Sequence, residues 1–152
     1  MSPTVRDVVH SFLAEQGVTK IFGNPGSTEM RFFRNWPEGL DYVLAPQEAS
    51  VLAMADGYAQ AKGQVGVAMV HSAAGLGHAL GSLYTAERNQ TPLVVLAGLQ
   101  TRALLANEPY LFARSAAEFP QPYVKFSIEP ATAADVPAAI AQAFFMAQQA
   151  PA

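Results

Sequence analysis

The stretch VGVAMVHSAAG, residues 65–75, decides the expected fold. It begins with a short, continuous apolar run that ends at Val70, and such a run between turn-forming residues predicts a buried strand. A helix is predicted to follow from about Leu76 to Arg88. A polar residue, His71, therefore stands where a strand gives way to a helix.

The same succession of strand and helix extends in both directions from this stretch. The strands are short apolar runs, which are typical of a sheet covered on both faces. The sequence therefore predicts an α/β fold in which a mostly parallel sheet is flanked by helices on both faces. The predicted strands cover residues 18–22, 41–44, 65–70 and 93–97, and residues 126–128 are a candidate fifth strand.

The predicted helices have recognisable ends. Thr4 and Asp7 form a capping-box pattern before an amphipathic segment, and Gly17 suits its C-terminal stop. Residues 99–124 show the least regular pattern, because prolines interrupt them. The predicted helices cover residues 5–16, 48–62, 76–88 and 132–149, and Ser27 is predicted to cap a short helix that carries Glu29 in its first turn.

Length and composition limit the function classes. The 152 residues fit a single domain, 1–152, with 51% hydrophobic and only 14% charged residues, against about 25% charged in ordinary domains. Such low charge suggests that other protein covers part of the surface, although an alanine-rich soluble monomer is the alternative. The net charge of −3 without a basic cluster argues against nucleic acid, and the lack of cysteine excludes disulfides and thiolate metal sites. With no signal sequence or membrane-spanning run, a cytoplasmic protein is expected.

Glu48 occupies an unusual position for a carboxylate. Its helical neighbours at i+3, i+4 and i+7 are Val51, Leu52 and Ala55, so the acid shares a face with residues that favour burial. Burying an ionised carboxylate is costly unless another group pairs with it. Because no basic residue lies within helical reach, the partner of Glu48 must be distant in sequence or be a ligand.

Polar residues follow each of the predicted strands. Ser27 follows the first strand, Glu48 the second and His71 the third, while residues 100–102 follow the fourth. In open parallel sheets, ligands bind outside the carboxyl ends of the strands. We therefore expect these side chains to line one pocket.

Each of these residues also has a purely structural interpretation. Ser27 can be only a helix cap, and Glu48 only a first-turn acid that the helix dipole favours. His71 can be a buried histidine with satisfied hydrogen bonds. Only their expected convergence favours a functional site.

A glycine-rich segment follows the third strand. Residues 75–81, GLGHALG, resemble a dinucleotide-binding loop, but the spacing differs and no acid follows at the end of the next strand. The glycines more simply allow close backbone approach, to helices or to a flat ring.

Several motifs together resemble one family. The chain is similar over essentially its whole length to the N-terminal, pyrimidine-binding domain of thiamin-diphosphate-dependent 2-keto-acid decarboxylases, and within that family to the benzoylformate type. The motifs that carry the resemblance are FGNPGS at 22–27, QEA at 47–49, ADGYAQA at 55–61, HSAAG at 71–75, QTRA at 100–103 and EPA at 129–131.

The resemblance implies roles for particular residues. Glu48 would hydrogen-bond a ring nitrogen of the cofactor's aminopyrimidine and so assist removal of the thiazolium proton, and the cofactor would act as electron sink. Ser27 would bind the substrate carboxylate, and His71 would assist proton transfer. The remaining implied contacts are Asn24, Pro25 and Gly26 as walls of the cofactor pocket, and Tyr110 and Leu111 as apolar substrate contacts.

The chain is shorter than members of that family. The resemblance implies a diphosphate-binding domain, supplied by another subunit of a homo-oligomer, that carries Mg2+ and a Gly-Asp-Gly motif absent here. We therefore expect a fragment or one subunit of a split enzyme, with the sheet lacking its last strand and without decarboxylase activity in isolation. A carboligase and a non-catalytic oligomerisation module are the alternatives.

Overall fold

A parallel sheet forms the centre of the protein. The computed structural model describes residues 2–150, and its strands are β1 (Lys20–Asn24), β2 (Asp41–Leu44), β3 (Gly66–Val70) and β4 (Leu93–Ala97). They lie in the order β2-β1-β3-β4, and all the pairings are parallel. The predicted parallel α/β fold is thereby confirmed.

Helices cover both faces of this sheet. The helices are α1 (Val5–Glu15), α2 (Glu48–Lys62), α3 (Ser72–Asn89), α4 (Arg102–Leu105) and α5 (Val136–Gln148), and a 3-10 turn (Ala133–Asp135) precedes α5. Along β1, Ile21 packs with α1 and α5 on one face, whereas Phe22 packs with α2 and α3 on the other. Two apolar layers therefore enclose the sheet, as the alternation of side chains along a strand requires.

Helices α2 and α3 are joined by polar contacts as well as by their core. The buried carboxylate of Asp56 accepts hydrogen bonds from Gln60 at 2.7 Å and from Asn89 at 3.0 Å, and Ser82 donates to the carbonyl of Ala49 at 2.8 Å. These bonds fix the two helices side by side. The first turns of both helices therefore lie together at one edge of the sheet.

Several predicted boundaries were wrong. Gly23 and Asn24 belong to β1 rather than to a turn, and α3 begins at Ser72 rather than at Leu76. Residues 27–35 form successive turns and not the predicted short helix. The loop acid Glu29 organises these turns, as described below.

The predicted strand at residues 126–128 does not form. In the part of the chain that the structure describes, β4 pairs with β3 alone, and residues 126–128 have no regular structure. Residues 126–128 and β4 both line a cavity of about 1060 Å³. The segment has the composition of a strand but pairs with no strand among residues 2–150. Within the described residues, no helix is both long and apolar enough to cross a membrane.

Candidate active site

The ends of three strands meet at one level of the sheet. Asn24 at the end of β1 lies beside Val70 at the end of β3, which in turn lies beside Ala97 at the end of β4. Because the strands are parallel, the segments that follow them leave the sheet at the same edge. This edge carries the candidate site.

Glu48 begins α2 and is only 8% exposed. Val51, Leu52 and Ala55 are fully buried on the same helix, which confirms the apolar face predicted for Glu48. Gln47 caps the helix by accepting a hydrogen bond from the Ser50 amide. The carboxylate is thus held at the positive end of the helix dipole and is largely shielded from water.

The partners of Glu48 come from distant parts of the sequence, as predicted. Asn24 donates from Nδ2 to Oε1 of Glu48 at 3.1 Å. On the other oxygen, Oε2, the nearest partner is Nδ1 of His78 at 3.3 Å, from a side chain that is 68% exposed. An amide and a solvent-exposed imidazole therefore contact the carboxylate, and neither is a permanent cation.

Gly75 brings the first turn of α3 against Glu48. A Cβ atom added at Gly75 would lie 3.0 Å from Oε1 of Glu48, which is closer than ordinary contact. The glycine-rich segment after β3 thus permits close backbone approach, as predicted. It serves here to place a bare backbone beside a buried acid.

His71 lies between β3 and α3 and turns towards the loop that follows β1. Its Nδ1 atom is 2.8 Å from Oε2 of Glu29 and 3.1 Å from Oγ1 of Thr28. A Cβ atom on Gly26 would lie 2.4 Å from the His71 ring, so the ring packs directly on the glycine backbone. His71 is therefore enclosed by this loop.

Glu29 is a site residue whose contacts sequence reasoning missed. Its side chain is only 4% exposed and accepts hydrogen bonds from the Gly26 amide at 2.7 Å and from the Thr28 hydroxyl, in addition to its contact with His71. Gly98 allows this packing, because a Cβ atom there would overlap Oε1 of Glu29. The available signal was an acid three residues after Gly26 in a loop that bears a candidate site.

The charge of Glu29 also acts on a neighbouring tyrosine. Burial raises the pKa of Tyr42 well above its usual range, and the nearby Glu29 carboxylate raises it further. Within residues 2–150, the Tyr42 hydroxyl is buried without a hydrogen-bond partner, and Gly23 leaves the space that it fills. Tyr42 therefore remains neutral at any pH at which the site would work.

The other predicted site residues lie at or near the same edge. Ser27 is exposed at the tip of the loop, while Asn24, Pro25 and Gly26 are half-buried. Tyr110 is 87% exposed, and its carbonyl accepts a hydrogen bond from Gln100 at 3.4 Å. Leu111 is half-buried, with a left-handed backbone at φ +69°.

The end of β1 and the loop that follows it contact both Glu48 and His71. Asn24, the last residue of β1, donates to Glu48, and Gly26 and Thr28 in the loop contact His71. Ser27 lies on the same loop but faces solvent. Tyr110 is linked through its carbonyl to Gln100, in the segment after β4.

Comparison with known proteins places this chain in a family. Residues 3–121 match the family described as thiamine pyrophosphate enzyme, N-terminal TPP binding domain. The chain belongs to this family. It is 42% identical over 140 residues to benzoylformate decarboxylase of Pseudomonas aeruginosa, covering 92% of this chain and 26% of that protein. It is also 32% identical over 143 residues to the large subunit of acetolactate synthase isozyme 3 of Escherichia coli, covering 93% of this chain and 25% of that protein.

A solved structure gives the same result. The crystal structure of benzoylformate decarboxylase from Polynucleobacter necessarius has a TM-score of 0.95 and 46% identity, and the match covers 99% of this chain and 28% of that one. The chain thus spans about a quarter of the length of the curated relatives that it matches. The resemblance to thiamin-diphosphate enzymes is confirmed, and relatives with two different activities share the domain.

Proposed function

We propose that this chain is the pyrimidine-binding, N-terminal domain of a thiamin-diphosphate-dependent decarboxylase that converts benzoylformate to benzaldehyde and carbon dioxide. The observation that carries the proposal is the buried carboxylate of Glu48 at the sheet edge, held by Asn24 and faced by the bare backbone of Gly75. The similarity to benzoylformate decarboxylases supports the choice of substrate.

The residues around Glu48 fit the pyrimidine half of the cofactor. Gly75 has no side chain that would block approach to the carboxylate, and the partners of Glu48 are neutral or exposed groups. Glu48, Asn24, Pro25 and Gly26 would hold the ring. When bound, thiamin diphosphate supplies an electron sink for decarboxylation.

Glu48 would share a proton with a ring nitrogen of the cofactor. The Glu48 carboxyl group lies beside the buried Val51 and Leu52 in the first turn of α2, where it is largely shielded from water. A proton shared there would pass between Glu48 and the ring and not to solvent.

Ser27 and His71 would act on the substrate. The exposed hydroxyl of Ser27 is free to donate to a carboxylate, and a carboxylate is the group that 2-keto acids present for recognition. His71 contacts the loop through Nδ1, so Nε2 is the ring nitrogen that would exchange a proton with the substrate. Tyr110 and Leu111 would contact the substrate's aromatic ring, and another subunit would cover the exposed Tyr110.

The rest of the active site would come from outside these residues. We propose that Mg2+ and the diphosphate group are bound by a diphosphate-binding domain of another subunit in a homo-oligomer. The low charged fraction of 14% supports a surface covered by other protein. The isolated chain is therefore expected to be inactive, and benzaldehyde formed by the purified chain with thiamin diphosphate and Mg2+ would contradict this.

The decisive test uses the domain joined to the product of the coding region downstream of Ala152. With thiamin diphosphate, Mg2+ and benzoylformate, we expect benzaldehyde and carbon dioxide in equal amounts. If pyruvate instead yields acetolactate and benzoylformate is not consumed, the domain belongs to a carboligase, which the similarity to acetolactate synthase favours as the second candidate. If neither reaction occurs although the protein assembles, the remaining hypothesis is that the domain is a non-catalytic oligomerisation module.

A further inference from the structure

We propose that Glu29 is the positioning residue of this site, which fixes both the orientation and the tautomer of His71. This inference rests on the proposed function, in which His71 transfers a proton. The Glu29 carboxylate lies 2.8 Å from Nδ1 of His71 and is almost completely shielded from solvent.

The hydrogen bonds determine which ring nitrogen carries the proton. An ionised carboxylate only accepts hydrogen bonds, so the Nδ1 atom that faces Glu29 must be the donor. The Thr28 hydroxyl donates to the other oxygen of Glu29, and its own oxygen can share the proton of His71 Nδ1 at 3.1 Å. The neutral ring is therefore protonated on Nδ1 and leaves Nε2 with the lone pair that a base needs.

The surrounding backbone prevents the carboxylate from moving. The Gly26 amide donates to Glu29 at 2.7 Å, and the backbone of Gly98 lies so close that a single added carbon would overlap the carboxylate. Glu29 is thus anchored by the loops that follow β1 and β4. A carboxylate held this firmly fixes the orientation of the histidine that donates to it, as carboxylates do for the histidines of metal sites.

The backbone next to His71 is constrained as well. Ser72, the next residue, has a left-handed backbone at φ +57° and is fully buried. For a residue with a side chain, this conformation is unfavourable and persists only where surrounding contacts impose it. This constrained residue lies directly after His71, whose ring packs against the loop that carries Glu29.

The tautomer can be measured on the purified 152-residue chain, without activity. Ring ¹⁵N chemical shifts at a pH where the imidazole is neutral distinguish a proton on Nδ1 from one on Nε2. We expect Nδ1–H for His71 in the wild-type chain and a loss of this preference in Glu29→Gln. The exposed Glu15 provides the matched control, because Glu15→Gln should leave the His71 signals unchanged.

Turnover in the full-length enzyme provides the second readout. We expect Glu29→Gln to lower kcat about 10- to 100-fold, with KM changed far less, since Glu29 acts through His71 and not on the substrate. Glu29→Asp, which retains the charge, should recover part of this loss.

The outcomes separate the two proposals. A wild-type His71 protonated on Nε2, or a Glu29→Gln chain with unchanged ring shifts, overturns the positioning role even if the enzyme is a decarboxylase. If the Nδ1 tautomer is found but His71→Ala leaves kcat unchanged, the positioning is real and the proposed function of His71 fails. If Glu29→Gln does not fold, the wild-type chain still tests the positioning role, because a proton on Nε2 of His71 would overturn it.

Discussion

Replacing Gly26 with alanine should disrupt the contact between the loop after β1 and His71. The added Cβ atom would lie 2.4 Å from Cγ and Nδ1 of the imidazole, whereas ordinary contact begins near about 3.5 Å. The ring must therefore retreat by about 1 Å. Such a shift would stretch the 2.8 Å hydrogen bond between Nδ1 and Glu29 beyond bonding range.

The magnitude follows from these two effects. Overpacking costs about 1–3 kcal/mol, and a lost hydrogen bond to a charged group about 1.5–3 kcal/mol. Because some relaxation is shared between them, we expect the free energy of unfolding to fall by about 2–4 kcal/mol. The backbone of Gly26 is not left-handed, so the cost is steric and not conformational.

Urea unfolding of the purified chain measures this change, and Gly57→Ala is the matched control. No atom lies within 4 Å of a Cβ built at Gly57, which is exposed in the interior of α2. That substitution should raise the free energy of unfolding by about 0.5–1 kcal/mol. If Gly26→Ala is as stable as the wild type, the His71 ring is not packed on this loop and the site geometry is wrong.

Two further predictions concern stability. Burial lowers the pKa of His10, whose ring packs on Phe32 and Trp36. Because the unfolded chain then binds the proton first, stability should fall by up to about 1.4 kcal/mol per pH unit as the pH decreases below about 6.5, until the folded-state pKa is reached. Urea titrations at several pH values should show this slope reduced in His10→Phe, and an unchanged slope would contradict it. Thr4→Ala removes the hydroxyl that caps α1 and should cost about 1 kcal/mol in thermal unfolding, while no change would mean that the capping box contributes nothing.

The sheet and its order of elements could be predicted because they depend on local patterns. The apolar runs of β3 and β4 are short and continuous, and a helical pattern follows β3. The four-residue helix α4 after β4 was not predicted, because prolines interrupt that part of the sequence. The face of Glu48 was predictable for the same reason, since helical spacing alone placed Val51 and Leu52 beside it. Because the strands were predicted to be parallel, the residues that follow them were expected at one edge of the sheet.

The contacts of Glu29 and His78 could not be predicted, because they depend on how separate elements pack. Residues 27–35 form turns instead of a helix, and these turns bring Glu29 under His71, 42 positions away in the chain. His78 reaches Glu48 only because α2 and α3 lie side by side. The sequence pattern of either segment contains no information about the contact between Glu29 and His71 or between His78 and Glu48.

The prediction of a strand at residues 126–128 was wrong for the opposite reason. The composition of this segment favours a strand, but a strand requires a partner, and among the described residues β4 pairs with β3 alone. Local propensity can indicate that a segment is able to form a strand. It cannot indicate whether a neighbouring strand is within reach.

The most direct test of the proposed function is the turnover of benzoylformate by the full-length enzyme carrying Glu48→Gln. Glutamine has the same size and retains an oxygen that can accept from Asn24, so the fold should be preserved. It cannot share the carboxyl proton, and we therefore expect kcat to fall by about 10²–10⁴-fold. Equal turnover in wild type and Glu48→Gln would contradict the account, because the buried acid would then have no part in the chemistry.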